Sequence, residues 1–214
     1  MHNVERNPLG WAKDFVLTEE ILKALRSTED RDLVFTVSVQ PHGKYPTAPL
    51  EGARTIRVTG EEADSRRAGL EYYLYQLKQT DAFVARLVRR LSTFSEPTVV
   101  VFYGDHLPGI YSSASEDDNN SLALHLTDYF IWSNKASSSQ GNEIDNADYS
   151  SPNFFVAQAA DHMNAKVSPY LAFLTEMHSK IAAMEPPVVN KIQGWDRIPE
   201  GQNIYLDQNG NPMS

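Results

Sequence analysis

Three side chains in this sequence are of types that bind cations or move protons. Asp105 and His106 are adjacent, directly after Val99-Val100-Val101-Phe102-Tyr103-Gly104, and Leu107-Pro108 follows them. A carboxylate and a neutral imidazole are hard-to-borderline ligands that suit manganese, zinc or magnesium. The same pair also makes a capped turn, in which Asp105 accepts backbone N–H bonds and His106 packs its ring. The third residue is His42, within Gln40-Pro41-His42-Gly43-Lys44-Tyr45-Pro46. An imidazole there can serve as a general acid or base, or as a donor to a phosphate oxygen. Its plainer role is that of a hydrogen-bonded loop histidine.

The other histidines point less clearly to chemistry. His162 and His178 fall in predicted helices, His125 near a helix end and His2 at the N-terminus. Trp11, Trp132 and Trp195 read as packing residues, with Trp132 beside a strand end where it can line a pocket. The chain has no G-x-S-x-G elbow and no Gly-rich phosphate loop.

The elements that must position these residues follow from the apolar pattern. Val99 to Tyr103 is an unbroken run of β-branched and aromatic residues, which predicts a central strand buried on both faces of a parallel sheet. Gly104 ends it, and Pro108 keeps it from resuming. Ligands of open α/β sheets bind beyond the carboxyl ends of the strands, where Asp105 and His106 would stand. Leu33 to Val39 predicts a second buried strand that ends just before His42. Between the two, Leu70, Tyr73, Leu74, Leu77, Val84, Leu87, Val88 and Leu91 form an amphipathic helical stripe. Strand, helix and strand make a βαβ unit with a right-handed crossover. Its two strands end on one sheet edge, so His42 and the Asp105-His106 pair are expected to converge on one crevice.

Upstream, residues 1–13 read as a loop, and Phe15, Thr18, Ile21, Leu22 and Leu25 recur at helical spacing. Downstream, the acidic stretch 112–121 reads as an exposed loop or lid, and Tyr129 to Trp132 as a short third strand. Residues 134–151 are rich in Ser, Asn and Asp and are expected to be mobile. Helices are predicted over 154–165 and 170–184, with Ser168-Pro169 between them. Tyr205, Leu206 and the Asn209-Gly210 turn signal predict a small hairpin.

At 214 residues the chain can build one sizeable core with a small appendage. A formal net charge of -9 argues against nucleic acid and anionic membrane surfaces as electrostatic partners. It does not argue against an anionic substrate, because a bound divalent cation dominates the field of its own site. Cysteine is absent, which removes disulfides, thiolate metal sites and a cysteine nucleophile. No apolar run reaches the length of a membrane span, and the first residues are not a signal peptide.

The segment Val99-Val-Val-Phe-Tyr-Gly-Asp-His-Leu-Pro resembles the lipoteichoic acid synthase group of the sulfatase/alkaline phosphatase superfamily. The resemblance extends back through Phe35-Thr-Val-Ser-Val-Gln-Pro-His-Gly-Lys-Tyr, and forward through Phe130-Ile-Trp-Ser-Asn and Val167-Ser-Pro-Tyr-Leu-Ala-Phe-Leu. Lys44 departs from it, standing where proline or a small residue is common. The resemblance implies an α/β fold, a three-layer α/β/α sandwich with a mainly parallel sheet. Residues 1–185 would be the C-terminal part of its catalytic domain, and 186–214 a tail with a small helical or hairpin appendage. It further implies that Asp105 and His106 hold a catalytic divalent cation, manganese or magnesium before calcium or zinc. By the same resemblance His42 contacts the substrate phosphate or sulfate.

Family members carry an acidic metal ligand and a threonine nucleophile upstream of the matched region, and nothing between Met1 and Leu33 corresponds to them. The implied parent activity is metal-dependent transfer of phosphoglycerol from a phosphatidylglycerol-type lipid, or hydrolysis of a related ester. It would act on the extracellular face of a bacterial cytoplasmic membrane. An arylsulfatase-type hydrolase and a catalytically inactive metal-binding fragment are the alternatives. This chain alone is expected to be inactive, and to form a homodimer through an open sheet edge.

Overall fold

The longest element is a helix whose buried face is only partly apolar. The structure is a computed structural model that describes residues 4–29, 31–50, 55–60, 66–110, 125–145, 147–184, 205–211 and 213. These fall into two units, one made of Met1–Thr93 and Gly104–Asp128 and the other of Phe94–Tyr103 and Tyr129–Ser214.

In the first unit α1 (Phe15–Leu25) packs on α2 (Arg67–Leu91). The buried positions of α2 include Gly69, Tyr72, Gln76, Thr80, Phe83, Leu87 and Leu91, a stripe at three- and four-residue spacing. In the first half of the helix this stripe is offset from the apolar pattern of the sequence, and Leu77 is 41% exposed. The offset arises because Gln76 and Thr80 point inward, where both are hydrogen-bonded. Across the outer surface Glu19 receives Arg86 at 2.8 Å and Arg90 at 2.7 Å. The Arg86 hydrogen bond is the main cause holding the Glu19 carboxyl below the usual carboxylate range. An exposed pair of this kind adds little to stability, whereas Leu22 of α1 is 1% exposed and adds apolar burial.

The predicted strand over Leu33 to Val39 is not formed. These residues belong to no ladder among the described residues, and Leu33, Phe35 and Val37 are 98%, 78% and 59% exposed. β-branched and aromatic composition favours a pleated, half-buried surface, and without a neighbouring strand there is none to join.

In the second unit β1 (Val99–Tyr103) pairs antiparallel with β2 (Tyr129–Ser133), from Val99 opposite Ser133 to Tyr103 opposite Tyr129. β1 is therefore half-buried throughout, not the doubly covered centre of a parallel sheet. Both described sheets are two-stranded and antiparallel, so the expected parallel pairing is not among the described residues. Phe102 stacks on Phe130 at 5.3 Å, and Tyr103 and Tyr129 pack on Phe155 at 4.8 and 5.2 Å. Phe155 opens α3 (Phe155–His162), after a 3-10 turn over Pro152–Phe154. α4 (Pro169–His178) starts as its sequence dictates, with Pro169 in the first turn and Ser168 Oγ accepting from the Leu171 N–H. Phe154, Ala157 and Leu174 form the core of this unit.

Helix α4 stops at His178, and the predicted helical end becomes β3 (Ala183–Met184), paired with β4 (Tyr205–Leu206). The Asn209-Gly210 turn forms, with Gly210 N–H donating to Asp207 O and Met213 N–H returning to Tyr205 O. The stretch expected to be mobile is instead tied down where it starts, since Asn134 and Ser139 are fully buried. The acidic stretch 112–121 and Trp195 lie outside the described residues. Among the described residues no helix is long and apolar enough to cross a membrane.

Two predictions follow from the second unit. Asn134 Oδ1 accepts from the N–H groups of Thr98 and Ser137, and its Nδ2 donates to the carbonyls of Phe94 and Glu96. Asn134→Ala strands these backbone groups and lowers the unfolding free energy by about 2–3 kcal/mol in urea titrations. Asn134→Asp recovers little of this, because its carboxylate faces two carbonyls. The second concerns His178, which is 6% exposed and donates from Nε2 to Tyr149 O at 3.2 Å. Burial pushes its imidazole below the ordinary histidine value, more strongly than the Tyr149 carbonyl raises it. The unfolded chain therefore takes up a proton first. Stability is full above the unfolded value and is lost as the pH falls below about 6.5. Melting temperatures measured from pH 8 to pH 5 should drop in the wild type and drop less in His178→Gln.

Candidate functional site

The loop that carries His42 is built on a buried polar network. Asp14 is 1% exposed, and its Oδ2 accepts from Ser38 Oγ at 2.7 Å and Thr80 Oγ1 at 2.6 Å. Asp14 N–H donates to Gln40 Oε1 at 2.7 Å, and Gln40 Nε2 donates to Gln76 Oε1 at 2.8 Å. Asn7 Nδ2 adds a bond to Gln40 O at 3.0 Å. The backbone on both sides of Val39 is thereby fixed to α1 and α2, and His42 N–H closes the following turn on Val39 O.

The first turn of α2 gathers the segments after His42 and after His106. A Cβ on Gly69 would meet the Tyr45 Cβ at 3.2 Å, and Ile110 Cδ1 and Pro46 O at 3.3 Å. A side chain here would make these neighbours give by a few tenths of an ångström, so glycine eases the close approach of the helix. Arg66 Nη1 donates to Ile110 O at 3.0 Å, and the Tyr45 and Tyr73 rings meet edge to face at 5.8 Å. At the other end of the second segment, Gly104 N–H donates to Asp128 O and Gly104 O accepts from Thr127 Oγ1 at 2.6 Å. A side chain on Gly104 would press on Thr127 at 3.0 Å.

These constraints bring His42 and His106 together, with ring centroids 6.1 Å apart and planes at 86°. Asp105 Oδ2 lies 3.7 Å from His106 Nε2. The convergence foreseen from a parallel sheet edge thus occurs by other means, through the first turn of α2. In each histidine Nδ1 faces a carbonyl, that of Gly43 for His42 at 2.9 Å and that of Leu107 for His106 at 2.8 Å. A carbonyl only accepts, so Nδ1 carries the proton and the neutral ring presents its lone pair at Nε2.

That chemistry fits a divalent cation in part. Ligand atoms about 2.1 Å from one ion stand roughly 3–3.5 Å apart, close to the Asp105–His106 separation. Among the described residues no group of three His, Cys, Asp or Glu surrounds such a point. The pair could supply two ligands at most, and both side chains are exposed, that of His106 to 60% and that of Asp105 to 77%.

Two of the remaining histidines, His162 and His178, are buried and hydrogen-bonded within the fold. His162 Nε2 is 3.0 Å from Ser133 Oγ and buried, His178 is bonded to Tyr149 O, and His125 sits in a turn. His2 lies outside the described residues. Trp132 is half-buried in β2. Sequence reasoning missed Trp11, whose ring lies 4.9 Å from His42. Its signal was the turn-forming Asn7-Pro8-Leu9-Gly10 before it, which shows that the chain reverses there but not what it reverses onto.

Comparison with known proteins shows the family of the chain. The sulfatase family model matches residues 1–165. A protein of Rhizobium meliloti (strain 1021) named for cyclic β-1,2-glucan modification is 26% identical over 199 residues, 87% of this chain and 30% of that protein. The capsular polysaccharide biosynthesis protein RkpI of the same organism is 30% identical over 132 residues, 61% of this chain and 21% of its own length. Among solved structures, the Streptococcus pyogenes phosphoglycerol transferase GacH, in complex with sn-glycerol-1-phosphate, superposes with a TM-score of 0.71 at 29% identity. The match covers 92% of this chain and 50% of that one. This chain thus spans less than a third of these curated relatives and half of the solved chain. With the family model covering most of its length, the chain belongs to the sulfatase family, as a lipoteichoic acid synthase-like member of the sulfatase/alkaline phosphatase superfamily.

Proposed function

We propose that this chain carries part of the active site of a metal-dependent transferase that moves phosphoglycerol from a phosphatidylglycerol-type lipid. The observation that carries the proposal is the meeting of His42 with His106 and Asp105, with Nε2 of both imidazoles free of the neighbouring carbonyls. Asp105 and His106 hold a divalent cation, manganese or magnesium. Bound there, the cation would supply positive charge against the attacking oxygen and the negative charge on the phosphoryl oxygens. With its Nδ1–H on Gly43 O, His42 contacts a phosphate oxygen or protonates the leaving group as the imidazolium, through an Nε2–H. The nucleophile is a threonine outside this sequence, as the resemblance implies. Its hydroxyl oxygen gives up a proton and bonds to phosphorus as the bond from phosphorus to the diacylglycerol oxygen breaks, and that oxygen leaves protonated; an acceptor hydroxyl then loses its proton and bonds to phosphorus as the bond to threonine breaks, which returns the threonine hydroxyl. The names of the Rhizobium relatives favour a hydroxyl of an extracytoplasmic glycan as that acceptor.

On the same proposal, residues 1–185 are the C-terminal part of a catalytic domain and 186–214 its tail. The exposed Leu33, Phe35 and Val37 support a further strand pairing, in a three-layer sandwich with a mainly parallel sheet. In this chain by itself the same run offers an edge through which two copies pair. The complete protein works on the extracellular face of the cytoplasmic membrane.

Calorimetric titration of manganese tests the metal assignment. Wild type binds weakly, since two exposed protein ligands leave most of the shell to water, while Asp105→Asn and His106→Ala give only the heat of dilution. Equal heats for the three proteins would remove Asp105 and His106 as ligands. Turnover is the second test. With manganese in excess, this chain alone leaves p-nitrophenyl phosphate, p-nitrophenyl sulfate and a fluorescent phosphatidylglycerol intact. Holding an attacking group in line is worth roughly 7–11 kcal/mol in favourable cases, and that group is absent. Metal-dependent hydrolysis lost in His106→Ala would mean that the chain holds a complete site, and the sulfate ester would identify a sulfatase.

A further inference from the structure

We propose that Trp11 and His42 together form a subsite for a sugar ring, the ring whose hydroxyl accepts the phosphoglycerol. The inference rests on the reading that the acceptor is a glycan hydroxyl. Two side chains share one carbonyl here: Gly43 O accepts from Trp11 Nε1 at 3.2 Å and from His42 Nδ1 at 2.9 Å. Both N–H groups point at one oxygen, so both rings run outward from it, side by side. Their centroids are 4.9 Å apart and their planes stand at 66°. The far edge of His42 carries Nε2, and the far edge of Trp11 is the benzene ring of the indole.

The two edges offer a ligand different chemistry. The only polar atom of the indole is committed to Gly43 O, so Trp11 presents an apolar ring whose face carries partial negative charge. His42 presents one nitrogen able to hydrogen-bond. A sugar ring matches that pair, because C–H bonds cover its faces and hydroxyls stand around its rim. A hydroxyl both donates and accepts, so it bonds to Nε2 whether or not that atom carries a proton. The match therefore does not depend on the charge of His42.

The order of the displacements agrees with this placement. The departing and the entering oxygen use the same position in turn, opposite the threonine. An imidazole beside the leaving oxygen is then beside the acceptor hydroxyl, and the indole is beside the carbon skeleton that bears it. Both rings are held for the task. Asn7 Oδ1 accepts from the N–H groups of Leu9 and Trp11, each at 3.0 Å. Asn7 is 5% exposed, and its Nδ2 is bonded to Gln40 O. The turn that presents the indole is thus fastened to the segment that presents the imidazole, which leaves little ordering for a ligand to impose. The indole is half-buried and the imidazole exposed, so surface remains on both.

The probe is methyl β-D-glucoside, which has C–H bonds on both faces of its ring, added at millimolar concentration to the whole chain without metal. Proton–nitrogen NMR follows the indole N–H of Trp11, assigned by its absence from Trp11→Phe, and saturation-transfer NMR of the sugar gives the affinity of each variant. We expect the Trp11 signal to shift, with NOEs from the indole ring to the sugar C–H protons. Binding should be roughly three- to tenfold weaker in Trp11→Leu and in His42→Ala. A Trp11 signal that the glucoside leaves unmoved, or an affinity that Trp11→Leu leaves unchanged, would overturn the proposal. Contacts from sn-glycerol-1-phosphate and none from the glucoside would overturn it too, and would give the pair to the glycerol of the donor. Should Trp11→Leu fail to fold, the NOEs in the wild type decide. No metal is present in this titration, so the manganese calorimetry stands or falls separately, and failure of the metal site is distinguishable from failure of the sugar subsite.

Discussion

The buried carboxyl group of Asp14 is the constraint on which the first unit depends. A carboxyl group that is 1% exposed is costly to bury unless its oxygens are hydrogen-bonded. Here the obligation is met from two directions in the sequence, by Ser38 and by Thr80. Asp14 stands at the N-cap of α1 yet makes no side-chain cap there, and its Oδ2 instead accepts both tertiary hydrogen bonds. Its own N–H then recruits Gln40, and Gln40 recruits Gln76. Because every member depends on another, none of the three segments can shift without leaving a buried polar atom unpaired. Networks of this kind specify an arrangement more than they stabilise it. What is specified is where the chain stands just before His42.

The same network explains which parts of the fold could be read from the sequence. α1, the α2 helix, β1, β2 and the start of α4 follow local rules: apolar spacing, β-branched runs, and Ser168-Pro169 at a helix start. The face of α2 did not follow, because Gln76 and Thr80 are polar and buried, and periodicity assigns polar residues to the outside. Only the partners, Gln40 and Asp14, make their burial possible, and those partners are remote in sequence. Leu33 to Val39 failed for the complementary reason. Its composition is that of a strand, but a strand exists only where a second one pairs with it.

The site was legible in its residue types and not in its framing. Asp105, His106 and His42 were picked out by chemistry and by glycine and proline at the ends of apolar runs. That His42 meets His106 was inferred from a sheet edge, whereas Gly69 and the first turn of α2 account for it. A glycine within a helical pattern carries no sequence signal of what lies against it. Trp11 was hidden in the same way, since a tryptophan in a loop looks alike whether it fills a core or bounds a site.

The balance between held backbone and open side chains bears on what the site can do. The segments around His42 and His106 are fixed by buried bonds, but Asp105 and His106 themselves are more than half exposed. Interactions between such groups and an ion are weakened by water and salt, and they gain strength only when solvent is excluded. Preorganised charge acts most strongly in a closed, dry site. The described residues supply the preorganisation: two tautomers set by carbonyls, a carboxylate at ligand distance from an imidazole, and an indole beside His42. They do not supply the enclosure. In this chain, which spans half of a solved phosphoglycerol transferase and a smaller share of its curated relatives, these three side chains stand on a held backbone and remain open to solvent.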